Sequence, residues 1–123
     1  MEKRNILLEM LEQEMTGIYD LLYRLGLTAD RSGFFHMSYA VYLAVRQSER
    51  LLLASKWLYP EVAKHYGTTQ ALVERDIRRM ADIAWNTNRS LLERLANKPL
   101  QTKPNAAQFM AILSMRLVPT DAA

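Results

Sequence analysis

The stretch Tyr59-Pro-Glu-Val-Ala-Lys-His-Tyr-Gly67-Thr-Thr-Gln70-Ala-Leu-Val73-Glu-Arg-Asp-Ile-Arg-Arg79 decides how the chain folds. Pro60 suits the first turn of a helix, where a missing N–H leaves no bond unmade. The helix it opens is predicted to run from Tyr59 to Tyr66 and to end at Gly67. Glycine takes the positive φ that a tight reversal needs. Thr68 and Thr69 then offer hydroxyls that can cap the free N–H groups of a second helix. In that second helix Val73, Ile77, Met80, Ala81 and Ala84 fall at i, i+4, i+7, i+8 and i+11, a buried stripe. Ala63, Gly67 and Val73 stand at the spacing of a helix-turn-helix. Ala63 is small where the axes cross, and Val73 fills the space beneath the crossing. Val62 and Tyr66 are expected to add apolar contacts to the body.

Burying one face fixes the other. The exposed side of the second helix is expected to carry Ala71, Glu74, Arg75, Arg78 and Asp82, with Gln70 at the leading tip. A recognition helix reads bases with its N-terminal part. Gln and Arg suit adenine and guanine edges, and Glu can accept from cytosine. Lys64 and Arg79 flank that face and can reach phosphates. A plainer reading stands beside this one. Glu74 and Arg78 are four apart and can bond each other on a solvated face. Residues 69–86 hold as many acids as bases, and helix-turn-helix spacing also arises by chance in all-α domains.

Outward from this core the chain reads as helices throughout, about six in a compact all-α bundle. Leu8, Leu11, Met15, Ile18, Leu22 and Leu25 alternate spacings of three and four, a heptad stripe on a helix from about Lys3 to Leu25 that Gly26 stops. Met15 to Leu25 is expected to face the core. For Ile6 to Leu11 a core face and a protruding homodimer seam stay equally open. If there is no seam, Glu9, Glu12 and Glu14 are expected on an ordinary solvated face. From Phe34 to about Trp57 the chain is apolar, with Met37, Ala40, Val41, Ala44, Val45, Leu51 and Leu52 on one broad face and a break near Arg46–Glu49. The second helix of the motif should end near Trp85 or Asn86, with a break over 86–88. A short helix over Ser90–Ala96, a loop with Pro99 and Pro104, and a last helix over Ala106–Leu117 complete the chain. Trp57 and Trp85 are expected as core anchors beside the motif or as partly exposed interface residues.

Composition narrows the function. Half of the 123 residues are hydrophobic and 24% are charged, so the chain can bury a core. Gly and Pro number four each, too few for a many-stranded sandwich. Cysteine is absent, which excludes disulfide scaffolds and thiolate chemistry. The longest apolar run, Ala40–Val45, is far too short to span a membrane, and the early glutamates interrupt any signal peptide. The expected location is the cytoplasm. Residues 1–30 carry three basic and six acidic side chains, and residues 31–123 carry thirteen and seven, so an acidic leader precedes a basic body. A basic body is compatible with nucleic acid. His36 and His65 are the only histidines. His36 reads as a packed ring and His65 as exposed. No phosphate loop and no catalytic triad context appears, so no enzyme activity, cofactor or metal is expected. The seven methionines are scattered core residues.

Several stretches add a resemblance. Ser32-Gly-Phe-Phe-His-Met-Ser-Tyr-Ala-Val41, Leu58-Tyr-Pro-Glu-Val-Ala-Lys-His-Tyr-Gly-Thr-Thr69, Val73-Glu-Arg-Asp-Ile-Arg78, Ala84-Trp85, Lys103-Pro-Asn105 and Phe109-Met-Ala111 appear in colinear order. Over about residues 16–117 the chain resembles the C-terminal effector domains of the stage 0 sporulation regulators. The resemblance implies an all-α domain whose helix-turn-helix binds promoter DNA. It places Glu74, Arg75 and Arg78 on DNA-contacting positions. Leu72 falls where the family carries a base-reading arginine. Residues 86–97 depart from the segment that meets the RNA polymerase sigma factor. A phosphoacceptor receiver normally precedes the module and is not present in these residues, so the chain reads as a fragment or as a receiver-less protein.

The expected organisation is an N-terminal helical extension over 1–15, a DNA-binding domain over 16–117 and a tail over 118–123. The expected DNA-binding residues are Lys64, Thr68, Thr69, Gln70, Ala71, Leu72, Glu74, Arg75, Arg78, Arg79 and Lys103. Double-stranded DNA is the expected partner, with the sigma factor and a second copy as further candidates. The alternative is an interaction module of the same fold with weak DNA binding.

Overall fold

The computed structural model describes residues 2–117, with side chains from Asn5 onward. The tail over 118–123 lies outside the described residues. The elements are α1 (Glu2–Arg24), α2 (Ser32–Arg46), a 3-10 segment (Ser48–Leu53), α3 (Ala54–Trp57), α4 (Tyr59–Tyr66), α5 (Gln70–Thr87), α6 (Arg89–Ala96) and α7 (Ala106–Met115). Six helices have eight residues or more, and α3 is a single turn.

Local chemistry sets the ends. At the end of α1, Gly26 sits at φ +92°. Its N–H donates to the Tyr23 carbonyl (2.9 Å) and the Leu27 N–H donates to Leu22 (3.0 Å), the paired bonds of a left-handed C-terminal cap. Gly67 repeats the device after α4, where the Thr68 N–H reaches the Ala63 carbonyl at 2.9 Å. Asn97, at φ +60°, does the same after α6. α7 opens with a capping box: the Asn105 side chain accepts from the Gln108 N–H, and the Gln108 side chain accepts from the Asn105 N–H.

The long second segment breaks at Gln47, inside the expected window. Beyond it the chain winds as a 3-10 segment rather than an α-helix, and this changes which side chains face inward. Leu52 is 77% exposed and Leu53 is also exposed, so the apolar face read over 34–57 does not extend to Leu52. A 3-10 turn advances three residues per turn, which shifts register against the α-helical stripe. α5 runs through Thr87, one residue beyond the expected end and inside the expected break over 86–88. Asn88 ends it, accepting from the Leu91 N–H to cap α6 and donating from Nδ2 to the Arg24 carbonyl at 2.8 Å.

α2 lies at the centre, packed against α1, α4, α5 and α7. Phe34, Met37, Ala40, Val41 and Ala44 are buried along it. Ile18, Leu22 and Leu25 of α1 are buried against the same core, and the Tyr19 and Tyr23 rings meet Phe34 at 5.6 and 5.1 Å. The inner half of the heptad stripe is thus a core face. The outer half is not: Ile6, Leu7, Leu8 and Leu11 are all exposed. Glu14 departs from the expected solvated face. It is buried and accepts from the Arg46 guanidinium, which ties α1 to the end of α2.

The two left-handed glycines differ in surroundings. A Cβ at Gly26 would lie 2.4 Å from Thr87 Cγ2 and 2.8 Å from Thr87 Cβ, whereas one at Gly67 would meet nothing within 4 Å. Gly67→Ala should therefore lose about 1–2 kcal/mol of stability from backbone strain alone. Gly26→Ala should lose a further ~1–3 kcal/mol from overpacking. Urea denaturation of the two variants checks this, and equal losses would show that Thr87 yields freely.

Candidate nucleic-acid interface

Val73, Ile77, Met80, Ala81 and Ala84 are all fully buried, so the inward face of α5 is the one the sequence marks. Ala63 is buried on α4, and Val62 beside it is completely enclosed. Tyr66 stays 41% exposed but reaches the body: its hydroxyl donates to the Phe35 carbonyl at 3.2 Å.

The opposite face of α5 is open to solvent. Positions 71, 75, 78 and 82 follow one another at helical spacing on it, flanked by 72 and 79. Ala71, Leu72, Arg75, Arg78 and Arg79 are exposed, and Glu74 and Asp82 are half-buried. Thr69 is the N-cap, and its hydroxyl accepts from the Leu72 N–H at 3.2 Å. Thr68 is half-buried in the turn, and Lys64 is exposed one turn ahead of Gly67. Leu72 is 38% exposed, so it remains at the surface rather than folded wholly onto the core.

Gln70 is engaged elsewhere in the free protein. Its Nε2 donates to the Ser55 carbonyl at 2.5 Å, pinning the tip of α5 to α3. This contact places exposed Lys56, next to Ser55, near the leading end of α5. Sequence reading passes over Lys56 because only the fold brings α3 to that tip.

Nearly every charge on the face has a partner. Arg78 Nη2 lies 3.1 Å from Glu74 Oε1, the i,i+4 pair anticipated for a solvated face. Arg75 Nη2 lies 3.2 Å from Asp76 Oδ1. Lys103, from the loop before α7, lies 2.6 Å from Asp82 Oδ1 and so joins the C-terminal end of the face. Counting Lys64, Arg75, Arg78, Arg79 and Lys103 against Glu74, Asp76 and Asp82, five cations meet three carboxylates, and the surface is basic. The Glu74–Arg78 and Asp82–Lys103 pairs are exposed and contribute little to stability, so their cations can change partners cheaply.

The tyrosine at the start of α4 senses the same charges. Burial, then the Glu74 carboxylate, push the Tyr59 phenol above its ordinary value, with Arg78 pulling the other way. Burial likewise raises Tyr66. Among the described residues no three His, Asp or Glu side chains gather as metal ligands do. His65 is exposed, with its ring stacked on Tyr39 at 4.1 Å between centroids. His36 is a half-buried ring whose Nδ1 lies 2.9 Å from Asp76 Oδ2. Trp57 is exposed, and Trp85 is half-buried under the Arg89 guanidinium, 4.1 Å from the ring centre.

A family model described as sporulation initiation factor Spo0A C terminal matches residues 18–117. The chain belongs to that family. Its members are DNA-binding regulatory domains, not a known family of enzymes. The match begins just after Glu14, where α1 meets the core, and ends beyond α7. Among the described residues no helix is long and apolar enough to cross a membrane.

The raised tyrosines carry a pH consequence. Their native pKa lies above the unfolded value, so the unfolded chain gives up protons first as pH rises. Their contribution is full below about pH 10 and is lost as pH climbs through the native values. Urea midpoints should fall above that pH, and less steeply in Tyr59→Phe. An identical alkaline slope in that variant would remove Tyr59 as a cause.

Proposed function

We propose that this protein binds double-stranded DNA in a sequence-specific way, with α5 in the major groove, as a transcription regulator of the sporulation type. The observation that supports this most directly is the exposed Arg75–Arg78–Arg79 face on a helix whose other side is wholly buried. In this reading residues 16–117 form the DNA-binding domain and residues 1–15 an extension. Lys64, Arg79 and Lys103 serve phosphates, and Thr68 and Thr69 lie at the turn beside the backbone. Gln70, Ala71, Leu72, Glu74, Arg75 and Arg78 lie along the groove.

The charge pairing shapes how binding proceeds. DNA would draw Arg78 from Glu74 and Lys103 from Asp82, and each phosphate neutralised along the surface releases counterions. Gln70 would have to leave the Ser55 carbonyl to reach a base. Leucine at position 72 offers only apolar contact, for which a thymine methyl is the natural partner. A sigma-factor contact, where it occurs, would fall on residues 86–97, the segment around α6 that departs from its counterpart in the resemblance.

The test is a titration of labelled duplex at two salt concentrations. Arg75→Ala and Arg78→Ala should each weaken binding by about 1–3 kcal/mol. The double variant should bind more weakly at both salt concentrations, with the salt dependence carried by Lys64, Arg79 and Lys103 largely kept and the thermal midpoint barely moved. A double variant that binds as the parent does would dismiss this face.

A second copy is the other partner that an observation favours. Ile6, Leu7, Leu8 and Leu11 are exposed together on the part of α1 that precedes Glu14. Such a run on one helix is a natural seam for a matching helix. If it serves as one, Leu8→Ser with Leu11→Ser should leave a folded monomer where the parent sediments as a dimer. A parent that is monomeric at high concentration rules the seam out.

A further inference from the structure

Asp76 is the one carboxylate of α5 that lies inside the protein, its side chain only 6% exposed. Both of its oxygens are used. Oδ2 lies 2.9 Å from His36 Nδ1 on α2, forty residues away in the chain. Oδ1 lies 3.2 Å from Arg75 Nη2. A carboxylate only accepts, so His36 carries its shared proton on Nδ1. The His36 ring is held in turn by an edge contact with Tyr66, centroids 5.0 Å apart.

The Arg75 contact is unusual in its spacing. Adjacent helix positions point about 100° apart and do not face each other. Arg75 makes the contact nonetheless, although its own side chain remains 52% exposed. A free arginine at that position would sample many rotamers. The backbone beneath is rigid as well. Gly33 of α2 sits so close that a Cβ there would lie 3.2 Å from Asp76 Cβ and 3.0 Å from Met80 Cε. Asp76 is therefore fixed from below by α2 and presents one oxygen outward.

We propose that Asp76 is a positioning residue for DNA recognition: held by His36 through one oxygen, it orients the Arg75 guanidinium with the other and so sets sequence discrimination. This rests on the DNA-binding reading above. The orienting carboxylate also places a negative charge under a surface meant for phosphates. Its presence should restrain non-specific affinity while sharpening the specific contact, because a planar guanidinium must be aligned to meet a base edge with two hydrogen bonds.

These two effects give a signature that loss of structure does not. The probes are a duplex enriched from a random pool by the parent protein and a scrambled duplex of equal length. Asp76→Asn keeps the shape of the side chain. It should cut the ratio of affinities for the two duplexes about tenfold, the scale of one well-aligned arginine–guanine contact. Affinity for the scrambled duplex should hold or rise. In an Arg75→Ala background the same change should leave the ratio where it was. His36→Ala should lower the ratio as well, and His36→Asn, which keeps a donor, should recover part of it. A fall in both affinities by one factor, or an equal effect with and without Arg75, overturns the proposal.

A measurement on the free protein separates this inference from the reading it rests on. By nuclear magnetic resonance the Arg75 guanidinium should show hindered rotation in the parent and free rotation in Asp76→Asn. Equal freedom in both overturns the positioning role whatever DNA does. If the pool yields no enriched duplex, the DNA-binding reading fails. Hindered rotation lost in Asp76→Asn would still support the orientation of Arg75 by Asp76.

Discussion

The close seating of α5 on α2 is the constraint on which the rest depends. Gly33 lets the start of α2 come down beside Asp76 and Met80, and α2 and α5 pack together with Ala40, Val41 and Ala44 of the one and Val73, Ile77, Ala81 and Ala84 of the other in a single core. Each of those seven core side chains is at most 1% exposed. Interiors packed this tightly do not rotate a helix by a few tens of degrees without opening a cavity or forcing a clash. Burial of one stripe therefore fixes the azimuth of α5, and with it which arginines meet solvent. α4 packs against α5 with Ala63 buried, and the left-handed turn at Gly67 joins the two.

The exposed face is basic yet quiet in the free protein. Arg78 rests on Glu74, Arg75 on Asp76 and Lys103 on Asp82. These contacts fall into two kinds. The Glu74–Arg78 pair is on the surface, and water and salt leave it worth little. The Asp76 contacts are built on a buried carboxylate, which needs its partners to stay inside at all. A polyanion can displace the first kind at small cost. The second kind stays in place and governs geometry. One surface thus combines a mobile cation with an oriented one.

The N-terminal half of α1 follows a different logic. It carries the same heptad stripe as the inner half, but the body ends before it does. Glu14, buried against Arg46, marks where the helix leaves the core. Beyond that point Ile6, Leu7, Leu8 and Leu11 stay exposed. The family match starting at residue 18 leaves this part outside the shared domain.

Much of this was legible in the residues themselves. The limits of α4, its glycine stop, the Thr69 cap and the buried stripe of α5 all follow from local rules: a missing N–H, a positive φ, a hydroxyl within reach of a free donor, a period of 3.6. Such signals act over a few residues and survive in any context, so the all-α class and the pair of helices joined at Gly67 were determined by the sequence alone. Contacts between distant segments carry no local signal. The His36–Asp76 bond, the grip of Gln70 on Ser55 and the Lys103–Asp82 pair join residues 40, 15 and 21 positions apart. The exposure of Leu52 and the burial of Glu14 run against their residue types. Only the tertiary structure decided these, because burial is a property of where helices meet, and a side chain's partner is whatever the packing brings within hydrogen-bonding distance.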